Sequence, residues 1–293
     1  MSTTSVLFDA PGPRARRRNR IATAVTVVVV AAVFGVVLHR LAAQGQLAAD
    51  KWTPFLNANV WKTYLLPGLR GTLVAAGISI VLAMILGVLF GVGRLSPWRV
   101  VRWPCAMLVE FFRAVPVLIM MIFAWQFYSL FNVVPARHSV LAGVVTGLTL
   151  YNGAVIAEAI RTGVNNLPRG QAEAAYALGM RWRQTMWSIE LPQAITSMLP
   201  VLVSQMVVVL KDTALGYQIS YLEVVRQGRI VGTAFQNYIP TLIVVAVLMI
   251  ALNFALSALA GWIERRMRRS RRGPAPARAH AVEQDGVPGA PVR

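Results

Sequence analysis

Long apolar runs recur along this chain, and they limit it to a helical fold that spans a lipid bilayer. The first run, residues 21–38, contains no charged residue. A spanning helix needs about 20 apolar residues, because every backbone polar group within lipid must be bonded inside the helix. Only 14% of the residues are charged, whereas soluble domains average about a quarter. We predict an all-α integral membrane protein with about six transmembrane helices, at residues 21–38, 68–93, 105–131, 140–160, 195–210 and 238–263.

The basic charge of the chain follows the ends of these runs. The formal net charge of +18 raises nucleic acid as a partner, but the arginines are not interleaved with aromatics along a groove. When the spans alternate, the basic segments 14–20, 94–102, 161–183 and 264–272 all fall on one side. Basic loops mark the cytoplasmic side. We therefore predict a multi-pass protein of the cell membrane, with both termini cytoplasmic and no nucleic-acid partner.

Four segments are predicted from these patterns. Residues 1–20 form a basic cytoplasmic tail, and residues 21–43 form an extra N-terminal transmembrane helix. A basic stretch before an apolar run also fits a signal peptide, but this run is longer than a typical signal core, and we favour a retained helix. Residues 68–263 form the main transmembrane domain. The Pro/Ala/Gly-rich residues 264–293 form a basic, disordered tail.

The polar segment 171–192 separates two of the spans. Residues 171–178 are good helix formers, and Gly179 follows where a helix would end in a left-handed residue. A second helical run, residues 181–190, is predicted to stop before Pro192, because proline disfavours a helical residue ahead of it. The pattern predicts helix, sharp turn, helix, outside the membrane. Spacing alone explains it equally well as a helical connector.

The segment contains Glu173-Ala174-Ala175, then Gly179, then Ile189 and Leu191-Pro192. These residues resemble the EAA signature of ABC-importer permeases. That signature has Glu-Ala-Ala, three residues, Gly, nine residues, Ile, one residue and Leu-Pro. The resemblance implies that residues 68–263 are a type I importer transmembrane domain, with a coupling loop at residues 161–195 that docks into a separate ATP-binding subunit. It also implies a second permease subunit, identical or different, and an external solute-binding protein. Every fixed position is filled here, by Glu173, Ala174, Ala175, Gly179, Ile189, Leu191 and Pro192.

Three further stretches resemble the histidine/glutamate-type, or polar amino-acid, permeases. They are Glu110 to Pro116, where Ala114 and Val115 replace the family's Gly-Thr, then Tyr151 to Arg161, then Lys211-Asp212-Thr213. The resemblance implies that the cargo is a polar amino acid, with glutamate as the leading candidate.

Polar side chains within the spans are the candidates for the pathway, because an ionisable group in a bilayer is a functional-site hypothesis by default. Lys211 and Asp212 are the most deeply placed charges that the pattern indicates, followed by Thr213. They line the pathway, or they neutralise each other at the outer interface; both interpretations stay open. Asn152 lines the pathway or bonds to a neighbouring helix, and we favour the second.

Two structural ion pairs are also predicted. Glu110 and Arg113 are three residues apart and share a helix face, and we favour a brace between helices over contact with substrate. Glu158 and Arg161 are predicted to fix the angle at which the chain leaves the bilayer for the loop. Two G-x-x-x-G pairs, Gly87/Gly91 and Gly143/Gly147, either let helices approach closely or are merely tolerated in membrane helices.

No enzyme chemistry is predicted. The sequence has no G-x-x-x-x-G-K-[ST] phosphate loop, and its three histidines and one cysteine are scattered. We expect no catalytic residue, metal or cofactor, and we place ATP hydrolysis on a partner subunit. The alternative is a secondary, ion-coupled transporter of small solutes, which would need coupling residues in the spans and no ATPase partner.

Overall fold

The computed structural model describes residues 12–271, with side-chain surroundings as far as residue 262. All regular secondary structure in that range is helical. Five helices are long and apolar enough to cross a bilayer, or six when one bent pair counts as a single span. The all-α fold with about six spans is therefore confirmed. In chain order the helices are α1 Pro13–Ala43, α2 Ala58–Leu95, α3 Arg99–Ala114, α4 Val117–Leu130, α5 Ala136–Asn165, α6 Arg169–Ala177, α7 Trp182–Ile219, α8 Val224–Ala234 and α9 Tyr238–Arg271.

Helix α5 is the centre of the bundle, and glycines bring its neighbours close. A Cβ atom on Gly91 of α2 would lie 3.0 Å from the carbonyl oxygen of Ala157 in α5. A Cβ atom on Gly147 of α5 would lie 2.8 Å from the backbone nitrogen of Met121 in α4. No larger side chain fits at either contact without a shift of backbone. Of the two interpretations of the G-x-x-x-G pairs, the structure supports close helix approach.

The predicted third span, residues 105–131, is wrong as a continuous helix. Helices α3 and α4 meet at an angle of 104°. Val115 is extended, with φ −82° and ψ 129°, because Pro116 sterically disfavours the helical conformation of the residue ahead of it. Helix α4 alone has 14 residues, about 21 Å of helix, which is shorter than the hydrocarbon core.

The predicted helix end before Pro192 is also wrong. Helix α7 passes through it, and the turn Met186–Glu190 has the wider π-helical geometry, in which the N–H of Leu191 bonds to the carbonyl of Met186. A wide turn relieves the clash between a proline ring and the preceding turn, so the helix continues. The same arrangement, Trp61–Leu65, precedes Pro67. Helix α2 therefore begins at Ala58, well before the predicted start at residue 68.

The two ends of the described chain differ from the predicted segments. Helix α1 begins at Pro13, so the basic residues 14–20 of the predicted tail form its first turns. Residues 21–40 are all exposed within this chain, as expected for an extra helix that lipid surrounds. Helix α9 continues to Arg271, beyond the predicted start of the disordered tail at residue 264. The rest of the two predicted tails, residues 1–11 and 272–293, lies outside the described residues.

Helix α8 docks through its first residues. The buried Glu223 caps it by accepting hydrogen bonds from the backbone N–H groups of Val225 and Arg226, at 2.7 and 2.6 Å. The N–H of Val224 donates to the hydroxyl of Thr72 in α2, at 3.2 Å. Burial raises the pKa of Glu223 to about 7, against the lowering effect of its two backbone hydrogen bonds.

This raised pKa predicts a pH-dependent stability. The folded protein binds the Glu223 proton more tightly than the unfolded chain, whose glutamate pKa is near 4.5. The free energy of unfolding should therefore fall between pH 4.5 and about 7 and stay level above it. The loss is on the order of 3 kcal/mol. Thermal unfolding of the purified protein at pH 5 and pH 8 measures it: Glu223→Gln should flatten the profile, and Asp50→Asn, at an exposed acid, should not. An unchanged profile in Glu223→Gln would contradict the assignment.

Candidate functional site

The turn between α6 and α7 is a glycine-terminated helix end. Gly179 has φ +76°, and its N–H donates to the carbonyl of Tyr176 at 2.9 Å. The N–H of Met180 donates to the carbonyl of Ala175 at 3.1 Å, which completes the Schellman pattern. A Cβ atom on Gly179 would meet nothing within 4 Å. Glycine is therefore required here by the backbone conformation and not by a lack of space for a side chain. The predicted helix, turn and helix are present.

Helix α7 begins directly after this turn and ties it to the bundle. The side chain of Gln184 accepts a hydrogen bond from the backbone N–H of Arg181, at 2.8 Å, which satisfies a free donor at the helix start. Trp182 packs edge-to-face against Trp98, with ring centroids 6.0 Å apart. Trp98 lies just before α3, so the turn is attached to the α2–α3 connection as well as to α7.

The residues of the signature divide between the surface and the core. Ala175 and Leu191 are buried, at 2% and 4% exposure, and Leu191 packs in a cluster with Ala83 and Val92 of α2. These buried residues hold α6 and α7 against the bundle, whereas the exposed ones are free for a partner. The exposed signature residues are Glu173, Ala174 and Gly179, and Ile189 and Pro192 are half-buried.

A cavity of about 460 Å³ lies between α6 and α7. Glu173 and Glu190 both line it, and neither forms an ion pair within the described part of the chain. Tyr176 lines it too, and burial, followed by the negative charge of Glu190, raises the pKa of its hydroxyl. Arg169 lines the cavity as well and forms no ion pair within the described residues. One cation therefore stands beside two carboxylates and a phenol, and the excess of negative charge suits a further cationic side chain.

Five charged side chains on three helices form one network. Arg94, at the end of α2, donates to Glu158 of α5 at 2.7 Å and to Glu110 of α3 at 2.9 Å. Glu158 also pairs with Arg161 at 2.6 Å. Arg113 lies 3.7 Å from both Glu110 and Glu158. The two predicted ion pairs are therefore present, but the structure joins them through Arg94.

Arg94 is the member that the sequence analysis missed. It was interpreted only as a marker of a short basic loop, yet its side chain is 10% exposed. Its two bonds reach residues 16 and 64 positions away. The one available signal was its place within a turn of Gly91, at a helix contact where an unpaired arginine would be costly. The network fixes α5 close to the point where the chain leaves for the loop.

Asn152 bonds to a neighbouring helix, as favoured from the sequence. Its side chain is completely buried. The amide oxygen accepts a hydrogen bond from Gln205 of α7 at 2.6 Å, and the amide nitrogen donates to the carbonyl of Leu148 at 2.8 Å. Asn152 does not face an open pathway in this structure, and it links α5 to the helix that follows the loop.

Lys211, Asp212 and Thr213 lie where α7 changes from α-helix to a 3-10 turn, Thr213–Ile219. Lys211 is exposed and Asp212 is half-buried. They form no ion pair with each other within the described residues. Thr213 is buried, and its hydroxyl donates to the carbonyl of Leu210 at 2.7 Å. The described residues also contain no group of three or more His, Cys, Asp or Glu side chains that could hold a metal ion.

The bundle of membrane-spanning helices presents an exposed helix–turn–helix between two of its spans, α5 and α7. Residues 79–269 match the family described as "Binding-protein-dependent transport system inner membrane component". The chain belongs to this family. The predicted membership in the ABC-importer permeases is confirmed, and with it a multi-pass membrane protein.

Two relatives and two solved structures support this placement. The glutamate transport system permease protein GluD of Corynebacterium glutamicum is 56% identical over 231 residues, 79% of this chain and 85% of that protein. The probable glutamine ABC transporter permease protein GlnP of Bacillus subtilis is 32% identical over 204 residues, 69% of this chain and 92% of that protein. An amino acid ABC transporter crystallised with histidines has a TM-score of 0.61 and 26% identity, covering 69% of this chain and 93% of that one. The methionine transporter MetNI, with a TM-score of 0.58 and 20% identity over 71% of this chain and 96% of that one, shows the shared fold. The predicted type I importer fold is confirmed.

Proposed function

We propose that this chain forms part of the translocation pathway of an ATP-driven importer whose cargo is glutamate. Separate subunits bind and hydrolyse ATP, a second permease subunit completes the pathway, and an external solute-binding protein delivers the cargo. The observation that carries the proposal is the exposed α6–Gly179–α7 element, which has the complete coupling signature and is anchored in the core through Ala175 and Leu191. The similarity to GluD, whose name specifies glutamate transport, supports the choice of cargo.

In this mechanism the coupling loop transmits movement from the ATP-binding subunits to the transmembrane helices. Closure of the ATP-binding subunits moves α6, and the Schellman turn transmits the movement to α7 without a flexible linker. Helix α7 carries Gln205, bonded to Asn152 of α5, and ends at Lys211, Asp212 and Thr213. Movement of α7 changes the access of these three residues, the candidate pathway residues, between the two faces of the membrane.

The cavity between α6 and α7 supplies a specific docking contact. Glu173 is exposed, and it shares the cavity with Glu190. An arginine or lysine of the ATP-binding subunit that enters here meets two carboxylates beside the chain's own Arg169, and charge-assisted hydrogen bonds are the strong ones. The exposed Leu178, at 83%, offers apolar contact beside it.

Loss of these carboxylates should weaken the complex. A hydrogen bond to a charged group contributes about 1.5–3 kcal/mol, so Glu173→Gln and Glu190→Gln should each lower the affinity for the ATP-binding subunit by about 10-fold or more. Binding of the purified subunit to the permease in nanodiscs measures this effect. Arg183→Gln is the matched control, since Arg183 is exposed in α7 and does not line the cavity. Equal affinities for the glutamate variants and the control would contradict this contact.

The function itself is tested by uptake into proteoliposomes. The complete complex should accumulate radiolabelled glutamate only when ATP and the solute-binding protein are both present. Glutamine is the matched competitor, because it has the same shape without the side-chain charge. Accumulation driven by an ion gradient without ATP would establish the secondary transporter instead. ATP-dependent uptake of glutamine but not glutamate would refute the cargo.

Both termini are proposed to face the cytoplasm of a cell-membrane protein, on the side of the coupling loop. The basic first turns of α1 and the basic end of α9 support this orientation, because such residues favour the cytoplasmic side.

A further inference from the structure

A groove of about 570 Å³ runs along the start of α2, at the end of the bundle opposite the coupling loop in the proposed topology. Four residues of α2 at four-residue spacing form one wall, and the segment before α8 forms the other through Tyr221 and Leu222. Side chains four apart lie on the same helix face. The wall on α2 is, in order from the helix start, Lys62, Leu66, Arg70 and Val74.

The two walls are held together by defined contacts, so the groove is not a gap beside a loose loop. The hydroxyl of Tyr221 donates to the carbonyl of Gly71 at 2.8 Å. The N–H of Val224 donates to Thr72 at 3.2 Å. Burial, and then the negative charge of Glu223, raises the pKa of Tyr221 to about 12, so this hydroxyl remains a donor at neutral pH.

The charge of the groove is positive. Lys62 and Arg70 line it together with no acidic side chain. Both are exposed, and neither forms an ion pair within the described residues. Glu223, which directly follows the groove residue Leu222, is buried and accepts hydrogen bonds from backbone N–H groups. An anionic group is therefore the complement of this site.

The remainder of the groove is aliphatic and faces outward. Leu66, Val74 and Leu222 are 48%, 39% and 53% exposed in this chain. At 1.5 Å per residue, Arg70 lies about 12 Å beyond Lys62 along the helix. Long basic side chains extend toward the membrane surface, so both charged ends lie on the headgroup side of the groove. Trp61 lies beside Lys62 and is suited to the membrane interface.

We propose that this groove binds one anionic phospholipid, with its headgroup along Lys62 and Arg70 and an acyl chain against Leu66, Val74 and Leu222. The amino-acid cargo fits less well, because its ammonium group would find no carboxylate among the lining residues and it has no apolar tail. A second copy of this chain also fits less well, because the same two cations would face each other. The site adds a lipid requirement that is independent of the proposed transport function.

Native mass spectrometry of the full-length permease, released from detergent with added lipid, tests the proposal. We expect retention of phosphatidylglycerol but not of phosphatidylcholine. A basic residue near an anionic lipid surface contributes about 1 kcal/mol, so Lys62→Gln and Arg70→Gln should each weaken retention about fivefold, and the double variant about 30-fold. Arg229→Gln is the matched control: Arg229 is an exposed cation that stacks on Tyr217 at 4.5 Å and lies outside the groove.

Each other outcome overturns the proposal. Equal retention of phosphatidylglycerol and phosphatidylcholine by the unchanged protein would contradict the proposal. This comparison needs no variant, so it remains decisive even if a variant misfolds. Displacement of the lipid by glycerol 3-phosphate at equal concentration would define a free-phosphate site. Displacement by glutamate would make the groove part of the cargo pathway. A disulfide between Leu222→Cys and a cysteine on the second permease subunit would make it a subunit interface.

Discussion

Replacing Gly179 by valine is expected to lower transport about 10- to 100-fold while leaving the protein in the membrane. The backbone of Gly179 has φ +76°, which a β-branched residue reaches only with strain of about 1–3 kcal/mol. The variant escapes the strain by opening the turn, which breaks the bonds from Gly179 and Met180 to the end of α6. Helix α6 then no longer moves rigidly with α7. ATP-dependent uptake by the reconstituted complex measures the loss.

Gly170→Val is the matched control for this experiment. Gly170 is also an exposed glycine of the loop, in α6, but it has no positive φ, and a Cβ atom there meets nothing within 4 Å. The same side chain is therefore added without strain. A comparable loss of uptake in both variants would show that bulk at the surface matters and not the turn. Full uptake in Gly179→Val would refute the role of the loop as a rigid lever.

Replacing Arg94 by methionine is expected to destabilise the permease by about 2 kcal/mol. A hydrogen bond to a charged group contributes about 1.5–3 kcal/mol, and the loss stays below the cost of an uncompensated buried charge because Glu158 keeps Arg161 at 2.6 Å and Glu110 is 61% exposed. Methionine keeps much of the length and the apolar stem of arginine but removes the two short hydrogen bonds to Glu110 and Glu158. Lysine should restore the stability only in part, because its ammonium cannot present the planar fork that bonds both carboxylates. Thermal unfolding in detergent measures both variants.

Arg99→Met provides the control for charge and length. Arg99 is exposed at the start of α3 and forms no ion pair within the described residues. Its loss removes one positive charge near the same end of the bundle without breaking the network. If Arg94→Met and Arg99→Met unfold at the same temperature, the bonds of Arg94 contribute nothing to stability. In the intact complex, Arg94→Met should also hydrolyse ATP with less uptake per ATP, because α5 is no longer fixed where the loop begins.

Two prolines show how far local rules reach in this chain. The rule that proline disfavours a helical residue before it applies equally to Val115 and Leu191. Val115 is extended, and the chain turns by 104° there. Leu191 is helical, with φ −61° and ψ −45°, and it is buried against α2. The packing of Leu191 in the core favours a continued helix, and the π-helical turn before it accommodates the proline ring. A continuous span through Val115–Pro116 and a helix end before Pro192 were predicted, and both predictions were wrong.

Local chemistry in the sequence determined the membrane-embedded helical fold, the exposed loop and the left-handed conformation of Gly179. Each depends on residues close in the chain: the length of an apolar run, the helix formers before a glycine, the spacing of a signature. Only the tertiary structure decided which side chains meet. Arg94 bonds to Glu158 across 64 positions and Gln205 bonds to Asn152 across 53, and the groove joins α2 to Tyr221 across 150. Such contacts depend on the rotation of each helix and on the distance between helices. The close packing around the glycines of α2 and α5 determines both, and no local sequence pattern encodes that geometry.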